Sequence, residues 1–338
     1  MDNLTHTLTG IAIGQAGLKR KTRFAMWALI IGSNLPDMDV VSAAGGEAGF
    51  LKHHRGITHS LIGLTALAII LAGAIYYFGR KAIPKKNQPP LSLKWLFILC
   101  WVAAGCHVLM DYTNQYGIRP FLPFSGRWVA LDIMPIVGVY VLLFLTVGLG
   151  TPLLMRLVSE EVGAKKASAA ARNGAIFSLC GILAVWGLRG MAHHRALGML
   201  NANDYGQELP ERTGAFPSPL NPFDWNGVVE TKSSYYLLEV NALGNGAHAF
   251  NAEPMLKAPP SAALVAAEKT RTAKIFLNFA RFPWAVVNQT EDGYSVFLRD
   301  LRFASADSTR WDFVVEVDRD RSLRVRTQSF SFSRPVPF

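Results

Sequence analysis

Histidine and aspartate residues in the first 132 positions are spaced in a way typical of metal ligands. Five of the eight histidines occur before residue 110, Asp37 and Asp39 directly follow Pro36, and His107 and Asp111 are four residues apart. On a helix, residues four apart lie on one face. Neutral imidazole and carboxylate are the usual ligands of zinc and similar divalent ions. The sequence therefore predicts a metal site formed by His6, Asp37, Asp39, His54, His59, His107 and Asp111, with Asp132 as a further member.

The chemistry expected of such a site is hydrolysis. A divalent ion, expected to be zinc and present as one to three ions, lowers the pKa of a bound water, and Asp37 or Asp39 could accept the proton. Arg55, Arg119 and Arg127 could hold an anionic group of the substrate, because a guanidinium binds two phosphate oxygens at once. We expect Asp37, Asp39 and Arg55 to be the catalytic residues.

Each piece of this pattern also has a structural interpretation. His107 alone could be a hydrogen-bonding residue at a helix end, and Asp37-Met38-Asp39 could be a turn or a helix N-cap. Interfacial positions would explain His54, His59, Arg119 and Arg127, while His193 and His194 beside Arg195 are typical of a membrane boundary. Thr58 and Ser60 could bond ligands or cap a helix. Ionisable groups near a bilayer are costly unless functional or paired, which favours a shared site.

The elements that must position these residues are apolar helices. Only 17% of the 338 residues are charged and 50% are hydrophobic, below the roughly one-quarter charged residues of soluble domains. A helix needs about 20 apolar residues to cross a hydrocarbon core about 30 Å thick. We predict six helical segments, of which the first two cross only part of the membrane; they lie at Leu4–Leu18, Phe24–Leu35, Ile57–Gly79, Trp95–Met110, Ile133–Met155 and Asn173–Leu188.

The charges of the loops predict an orientation. Residues 1–199 hold 19 of the 34 Lys+Arg but 8 of the 24 Asp+Glu, and most of these bases lie in three loops, 19–23, 80–94 and 156–172. The positive-inside rule places those loops in the cytoplasm and the His/Asp motifs outside. A basic, apolar region suits anionic lipid headgroups better than nucleic acid.

The chain from about residue 200 differs in composition. A Pro- and Gly-rich stretch, with Pro210, Gly214, Pro217, Pro219, Pro222 and Gly227, indicates a linker with turns. Runs of β-branched and aromatic residues then predict about five antiparallel strands at Tyr235–Val240, Ile275–Phe279, Tyr294–Leu298, Trp311–Val317 and Ser322–Phe332. The predicted fold is an α-helical integral membrane domain over 1–199, followed by a linker and a small β-rich extracytoplasmic domain over 200–338.

Cysteine usage and the N-terminal sequence add two negative expectations. Cys100, Cys106 and Cys180 all lie in apolar runs, which argues against a disulfide framework and for small core residues. The first residues lack a basic segment and a small-residue cleavage site, so a removable signal peptide is not expected.

The motif residues resemble a known family. The matching elements are Thr5-His6-Thr7, Pro36-Asp37-Met38-Asp39, the run from His54 to Ser60, and His107-x3-Asp111 with its continuation to Phe124. Residues 1–155 thereby resemble the YdjM-type family of inner-membrane metal-dependent hydrolases, also described as LexA-regulated. The resemblance implies a helical membrane enzyme, distantly similar to zinc-dependent phospholipase C and P1 nuclease, which use His/Asp clusters on phosphate esters. It implies nothing for the C-terminal region.

The resulting hypothesis is a hydrolase of the bacterial inner membrane that acts on an ester or phosphoester of a lipid-like substrate. The alternative is a non-enzymatic membrane protein, a metal-ion carrier or an assembly factor, that uses the same cluster for binding. A carrier needs polar groups near mid-membrane with access from both sides, whereas these ligands are expected at one end of the helices. No nucleic-acid partner is expected, because the bases are divided among three loops and no DNA-binding motif occurs.

Overall fold

The computed structural model describes residues 1–162, 167–244, 247–249, 254–304 and 314–331. The chain divides into two compact units, the first comprising Met1–Asp39 and Arg55–Met191 and the second Val40–His54 and Ala192–Phe338. The predicted boundary at residue 199 therefore differs from the division found by packing, in which the short segment 40–54 groups with the C-terminal region.

Each of the six predicted apolar ranges overlaps an α-helix, and a further short helix at Gly46–His53 was not predicted. In chain order the helices are α1 (Asn3–Gln15), α2 (Ala25–Gly32), α3 (Gly46–His53), α4 (Leu61–Gly79), α5 (Leu93–Tyr112), α6 (Val139–Val162) and α7 (Ala167–Asn201). Three helical stretches in the described residues are long and apolar enough to cross a membrane: Leu61–Gly79, Leu93–Tyr112 and Ala169–Asn201. The number of helices that cross stays a prediction.

Two predicted boundaries in this region were wrong. α6 begins at Val139 and not near Ile133, so Asp132 does not directly precede it. The expected loop 156–172 is largely helical, because α6 continues to Val162 and α7 starts at Ala167 in an alanine-rich stretch that favours helix. Residues 163–166 of that loop lie outside the described residues.

Side-chain caps and small residues define the helices of the first unit. Asp2, Ser60 and Ser92 accept the N–H groups of Thr5, Gly63 and Trp95, which starts α1, α4 and α5. α2, α4 and α5 pack through a core that includes Ala28, Leu29, Ala68, Leu99 and Ala103. A second core joins α1, α6 and α7 and includes Ala12, Leu145, Ala175 and Ile182.

The remaining faces of α4 stay apolar. Ile69, Ile70 and Phe78 are exposed, and a helix that is apolar on every face is typical of a membrane span.

The three cysteines differ in burial. Cys100 is buried and Cys106 half-buried, whereas Cys180 is exposed on α7. The expectation that all three cysteines are core residues was therefore wrong for Cys180. All three cysteines are free.

The C-terminal region forms two antiparallel sheets. The first contains β1 (Arg212–Pro217), β2 (Asp224–Glu230), β3 (Ser234–Asn241), β4 (Ala247–Ala249) and β5 (Met255–Leu256), in the order β1-β2-β3-β4 with β5 also paired to β3. After helices α8 (Ala262–Glu268) and α9 (Arg271–Phe279), the second contains β6 (Pro283–Thr290), β7 (Gly293–Asp300), β8 (Val314–Asp320) and β9 (Val325–Ser331) in sequential order.

A β-rich C-terminal region is confirmed, but two of its predicted segments were wrong. The Pro/Gly-rich linker contains β1 and much of β2, and edge strand β1 carries Pro217 at its end, where a strand tolerates proline. The Ile275–Phe279 run is part of α9, which Thr270 caps and which buries Ala273, Phe276 and Phe279 at a spacing of three. Predicted positions Trp311–Phe313 and Phe332 lie outside the described residues. The other predicted strands coincide with β3, β7, β8 and β9.

Candidate metal centre

Four side chains of the first unit direct their ligand atoms to one point. One ligand atom from each of Asp37, His59, His107 and Asp111 lies within 4.8 Å of the others. His107 and Asp111 come from the last turns of α5, His59 from the 3-10 turn Ile57–His59 before α4, and Asp37 from the 3-10 segment after α2. Polar residues from three separate helix ends therefore meet inside the helical unit.

The distances match the edges of a small coordination shell. His59 Nε2 is 3.2 Å from His107 Nε2, 3.5 Å from Asp37 Oδ1 and 3.3 Å from Asp111 Oδ2. His107 Nε2 is 3.4 Å from Asp37 Oδ1 and 3.5 Å from Asp111 Oδ2. Ligands placed tetrahedrally about 2.0–2.2 Å from a zinc ion are roughly 3.3–3.6 Å apart, whereas direct charged hydrogen bonds are about 2.7–2.9 Å. This donor set fits a divalent metal better than a set of mutual hydrogen bonds.

The ring nitrogens that face away from this point are held by the protein. His107 Nδ1 is 2.8 Å from the Ser33 carbonyl oxygen, which can only accept, so Nδ1 carries the proton and Nε2 keeps its lone pair. His59 Nδ1 lies 3.3 Å from Asp39 Oδ2 and 3.0 Å from Thr58 Oγ1. A carbonyl or carboxylate behind a ligating histidine fixes its tautomer and orientation in metal sites.

One carboxylate oxygen of Asp39 holds the groups around the His59 ring. Its Oδ2 also accepts the backbone N–H of Arg55 at 2.9 Å and the Thr58 hydroxyl at 2.8 Å. These contacts place Asp39 behind the His59 ring, on the side opposite Nε2. The geometry supports a positioning role for Oδ2 of Asp39. Asp39 is not one of the four residues above, but ligand atoms of Asp37 and Asp39 lie within 4.8 Å of each other, and its role as a metal ligand stays a prediction.

The two oxygens of Asp111 have different surroundings. Oδ1 accepts from the guanidinium of Arg55 at 3.0 Å and pairs with the terminal amine of Met1. Oδ2 faces His59 and His107 and makes no hydrogen bond of ordinary geometry. Asp111 is fully buried, and an unsatisfied buried carboxylate oxygen is costly. A cation at the centre of the cluster would remove that cost.

His6 borders the cluster but does not belong to the four-residue set. Its ring stacks on His107 with centroids 3.8 Å apart, and its Nε2 is 3.5 Å from Asp111 Oδ1. Both ring nitrogens are buried without a hydrogen-bond partner. Like Asp111 Oδ2, the His6 ring is therefore a buried polar group without a hydrogen bond. It lies next to Asp111 Oδ1, the oxygen that faces away from the other three ligands.

The electrostatics of the cluster favour a positive charge. Burial alone lowers the pKa of His59, but hydrogen bonds with the carboxylates of Asp111, Asp37 and Asp39 outweigh it and raise that pKa to about 10. Burial raises the pKa of Asp37, yet hydrogen bonds from His107 and His59 outweigh it and hold that pKa below its usual range.

Arg55 is part of the structure around the cluster. Its Nη1 donates to Asn114 Oδ1 at 2.9 Å and to the Gly117 carbonyl at 3.3 Å, and its guanidinium lies over the Tyr116 ring. With Nη2 bound to Asp111 and the side chain buried, both terminal nitrogens are occupied by protein groups. These contacts support a role for Arg55 in fixing Asp111, and its predicted role toward an anionic substrate stays a prediction.

Arg119, Arg127 and Asp132 are not members of the four-residue set. Arg119 is buried over the Trp128 ring, and burial lowers its pKa. Arg127 is exposed, and Asp132 is half-buried in a segment whose neighbours Leu131 and Ile133 bond to the end of α5. Ser60 caps α4.

The division of the chain leaves one candidate ligand outside the first unit. His54 follows α3 in the second unit, with its ring stacked on Phe50. Its role in the metal site stays a prediction. His193 packs near Trp225 in the second unit, and His194 is exposed there.

Sequence reasoning missed three groups that hold this site: the Ser33 carbonyl, Asn114 and the Met1 amine. Asn114 has a recognisable signal, because an asparagine three residues after Asp111 can close a turn through its own side chain. Its Oδ1 accepts the Tyr116 N–H at 2.9 Å. A backbone carbonyl such as that of Ser33 has no sequence signal at all.

Fold and site together define a helical membrane protein with a buried His/Asp cluster that could hold a metal ion. The profile of the YdjM inner membrane protein family matches residues 1–196. This is more than half of the chain, and the chain belongs to that family.

The C-terminal region matches a second profile. The YfhP C-terminal alpha/beta plait domain matches residues 262–334, which include α8, α9 and the second sheet. The uncharacterized protein YfhP of Bacillus subtilis (strain 168) is 30% identical over 142 residues, which cover 40% of this chain and 41% of that protein. The match thus spans less than half of that relative. No solved structure matches the chain.

Proposed function

We propose that this protein is a metal-dependent hydrolase that cleaves an ester or phosphoester bond of a lipid-like substrate. The observation that carries the proposal is the set of four ligand atoms, from Asp37, His59, His107 and Asp111, within 4.8 Å of one another. Two of these side chains are oriented by protein groups behind them. The expected distant similarity to zinc-dependent phospholipase C and P1 nuclease belongs to this proposal.

The four residues would hold the ion, expected to be zinc. His6, beside them, would be a further ligand if the site holds more than one ion. A bound zinc ion would lower the pKa of a water molecule enough to supply a nucleophile near neutral pH. Four protein ligands close a tetrahedral zinc site, so a catalytic ion held by all four residues would need a fifth position for water. The Asp37 side chain is 14% exposed, whereas the His59, His107 and Asp111 side chains are fully buried. Access to the site is therefore proposed on the Asp37 side.

Asp37 is the carboxylate best placed to accept a proton. It lies at the accessible edge; its Oδ1, which faces both ring nitrogens, would bind the ion, and its second carboxylate oxygen would accept the proton. The Oδ2 atom of Asp39 contacts His59, Thr58 and the Arg55 N–H. Of the two carboxylates considered from the sequence, the contacts favour Asp37 as the base.

Apolar surface near the site supports a lipid-like substrate. Ile57 and Leu61, on either side of His59, are about half exposed. The Leu61 N–H donates to the Pro120 carbonyl oxygen at 3.0 Å. This hydrogen bond holds the following loop, in which Phe121 and Phe124 are exposed, next to the start of α4. Exposed apolar residues in a group of this kind favour contact with hydrocarbon over contact with water.

A metal-binding or assembly protein without catalysis is the alternative function. The depth of the cluster favours it in one respect, because three of the four ligands are inaccessible. Hydrolysis assays distinguish the two.

The membrane orientation is also a proposal. It places the basic loops 19–23 and 80–94 in the cytoplasm, and the metal centre and C-terminal region outside, in a multi-pass inner-membrane protein. A cysteine introduced at Ser218 should react with an impermeant reagent added to intact cells, and one at Lys85 should not; Ser218 is half-buried and Lys85 is exposed. Labelling at Lys85 but not at Ser218 would reverse the orientation.

The test of the proposed activity uses the purified full-length protein. Zinc-loaded protein should release p-nitrophenol from bis-p-nitrophenyl phosphate or p-nitrophenyl acetate, and a chelator should stop the reaction until zinc is restored. His59→Ala should lose at least about 100-fold in rate, in line with the loss of a whole metal ligand. His194→Ala, an exposed histidine on α7, is the matched control and should keep full activity.

Two outcomes would count against the hydrolase. Protein that binds zinc through the cluster but cleaves neither ester favours the non-enzymatic alternative. Equal rates for the parent and His59→Ala assign any hydrolysis to a contaminant or to another site.

A further inference from the structure

An apolar groove runs between α1 and α6 of the first unit. Its walls include Leu8 and Ile11 on α1 and Leu149, Pro152 and Leu153 on α6, and it encloses about 670 Å³. Binding sites for small molecules enclose about 300–1,000 Å³. Apolar walls of this size suit a hydrocarbon chain.

One end of the groove is basic. Gln15 and Lys19 line both the groove and an adjoining cavity of about 270 Å³, which Arg20 and Arg172 also line. The Lys19 ammonium donates to Gln15 Oε1. This hydrogen bond positions the ammonium where the two cavities meet. The segment 19–23 contains four bases and no acid.

This end is far from the metal centre along α1. His6 lies in the first turn of the 13-residue helix, and Lys19 follows its end. A rise of 1.5 Å per residue separates the two by roughly 20 Å. The groove therefore belongs to a different part of the protein from the site described above.

We propose that this groove binds an anionic phospholipid, with one acyl chain between α1 and α6 and the headgroup phosphate at Lys19, Arg20 and Arg172. Apolar walls exclude a hydrophilic occupant, and the basic end selects a negative headgroup over a zwitterionic one. Basic pockets between membrane helices bind anionic headgroups for this reason. An ammonium and two guanidinium groups can contact several phosphate oxygens at once. This inference is independent of the proposed hydrolase activity.

Native mass spectrometry of the full-length protein tests it. Delipidated protein would be mixed with phosphatidylglycerol or with phosphatidylcholine of the same acyl chains, and the bound lipid counted. The parent should retain phosphatidylglycerol in preference to phosphatidylcholine. About 1 kcal/mol per base near a headgroup corresponds to roughly fivefold, so Lys19→Gln/Arg172→Gln should weaken phosphatidylglycerol binding roughly 25-fold. Lys85→Gln/Lys86→Gln removes two exposed bases from another loop and should leave the preference intact.

A second variant tests the groove itself. Gly150 lines the groove, and a Cβ there would meet no atom within 4 Å. Gly150→Leu, whose Cβ is accommodated, should place its side chain in the acyl space and reduce phosphatidylglycerol binding, although every base remains. Gly73→Leu, at an equally open position on α4, should bind like the parent.

Three results would overturn the proposal. Equal retention of the two lipids by the parent would remove the headgroup site. Equal losses in the Lys19/Arg172 and Lys85/Lys86 variants would show attraction to net charge alone. Unchanged binding in Gly150→Leu would show that the lipid does not enter the groove.

Discussion

Asp111 in the helical unit and Asp300 in the C-terminal unit are both fully buried carboxylates, but their surroundings differ. Asp300 accepts backbone N–H groups from Arg281, Phe282 and Arg302 and is bound by the Arg302 guanidinium at 2.6–2.8 Å. Asp111 has charged partners on Oδ1 only, and its Oδ2 faces two histidine nitrogens at 3.3 and 3.5 Å. Complete hydrogen bonding indicates a structural carboxylate, whereas the incomplete set around Asp111 is typical of a site that could hold a cation.

The largest effect should come from removing the satisfied carboxylate. Asp300→Ala leaves Arg302 buried between the Phe279 and Phe303 rings without its counter-ion. Breaking a buried pair in this way costs about 3–5 kcal/mol. Native-state hydrogen exchange of the β6 and β7 amides should accelerate accordingly, with no change in metal content.

The matched control is Asp292→Ala, because Asp292 is exposed and its partner Arg326 lies 3.6 Å away. An exposed pair contributes about 0–1 kcal/mol. Similar exchange rates for the Asp292 and Asp300 variants would contradict the structural role assigned to Asp300.

A smaller effect is expected where two helices meet beneath the metal centre. A Cβ on Gly10 of α1 would lie 2.6 Å from Ser33 Oγ and 2.8 Å from the Leu29 carbonyl oxygen of α2. Gly10→Ala must therefore separate the helices, which costs about 1–3 kcal/mol, and it displaces the Ser33 carbonyl that orients His107. Both thermal stability in detergent and zinc affinity should fall.

Gly73→Ala is the control for this substitution, since a Cβ at Gly73 of α4 meets nothing within 4 Å. It should keep the parent's stability. A Gly10→Ala protein with unchanged stability and zinc affinity would show that the close approach of α1 and α2 is unimportant for the site.

The positioning role of Asp39 predicts a graded loss. Asp39→Asn keeps an acceptor for Thr58 and for the Arg55 N–H but weakens the contact behind His59. Changes behind a ligating histidine typically reduce metal affinity about 10–100-fold. Competition with a chelator of known affinity measures the change, and Asp132→Asn, outside the four-residue set, should bind zinc like the parent. A loss as large in Asp132→Asn as in Asp39→Asn would return Asp132 to the site.

Much of this site could be predicted because its signals are local. The i, i+4 spacing of His107 and Asp111 places both on one helix face, and Pro36 before Asp37 is incompatible with a longer α2, which ends at Gly32. Tertiary contacts decided the rest. Hydrogen bonds from Thr58 and from the Arg55 N–H determine the side on which Asp39 contacts the His59 ring. The Arg55 guanidinium, in turn, is bound by Asn114 and Asp111, which are distant in the sequence.

The C-terminal region shows the same limit in the fold. A five-residue run such as Ile275–Phe279 contains too little periodicity to separate strand from helix, and its assignment depends on the Thr270 cap and on burial of one face. Gly214 and Pro217 predicted turns, yet they lie in β1, which pairs with β2 along its length. Pairing with β2 makes this segment a strand, and the sequence of the segment alone does not reveal that pairing.

Metal analysis of the purified full-length protein tests the central claim most directly. After zinc loading and removal of free ion, the parent and His194→Ala should each retain about one zinc ion per chain or more, and His59→Ala should retain almost none while keeping its helical content. A parent protein that retains no metal, or a His59→Ala protein that retains as much as the parent, would contradict the assignment of Asp37, His59, His107 and Asp111 as a metal centre.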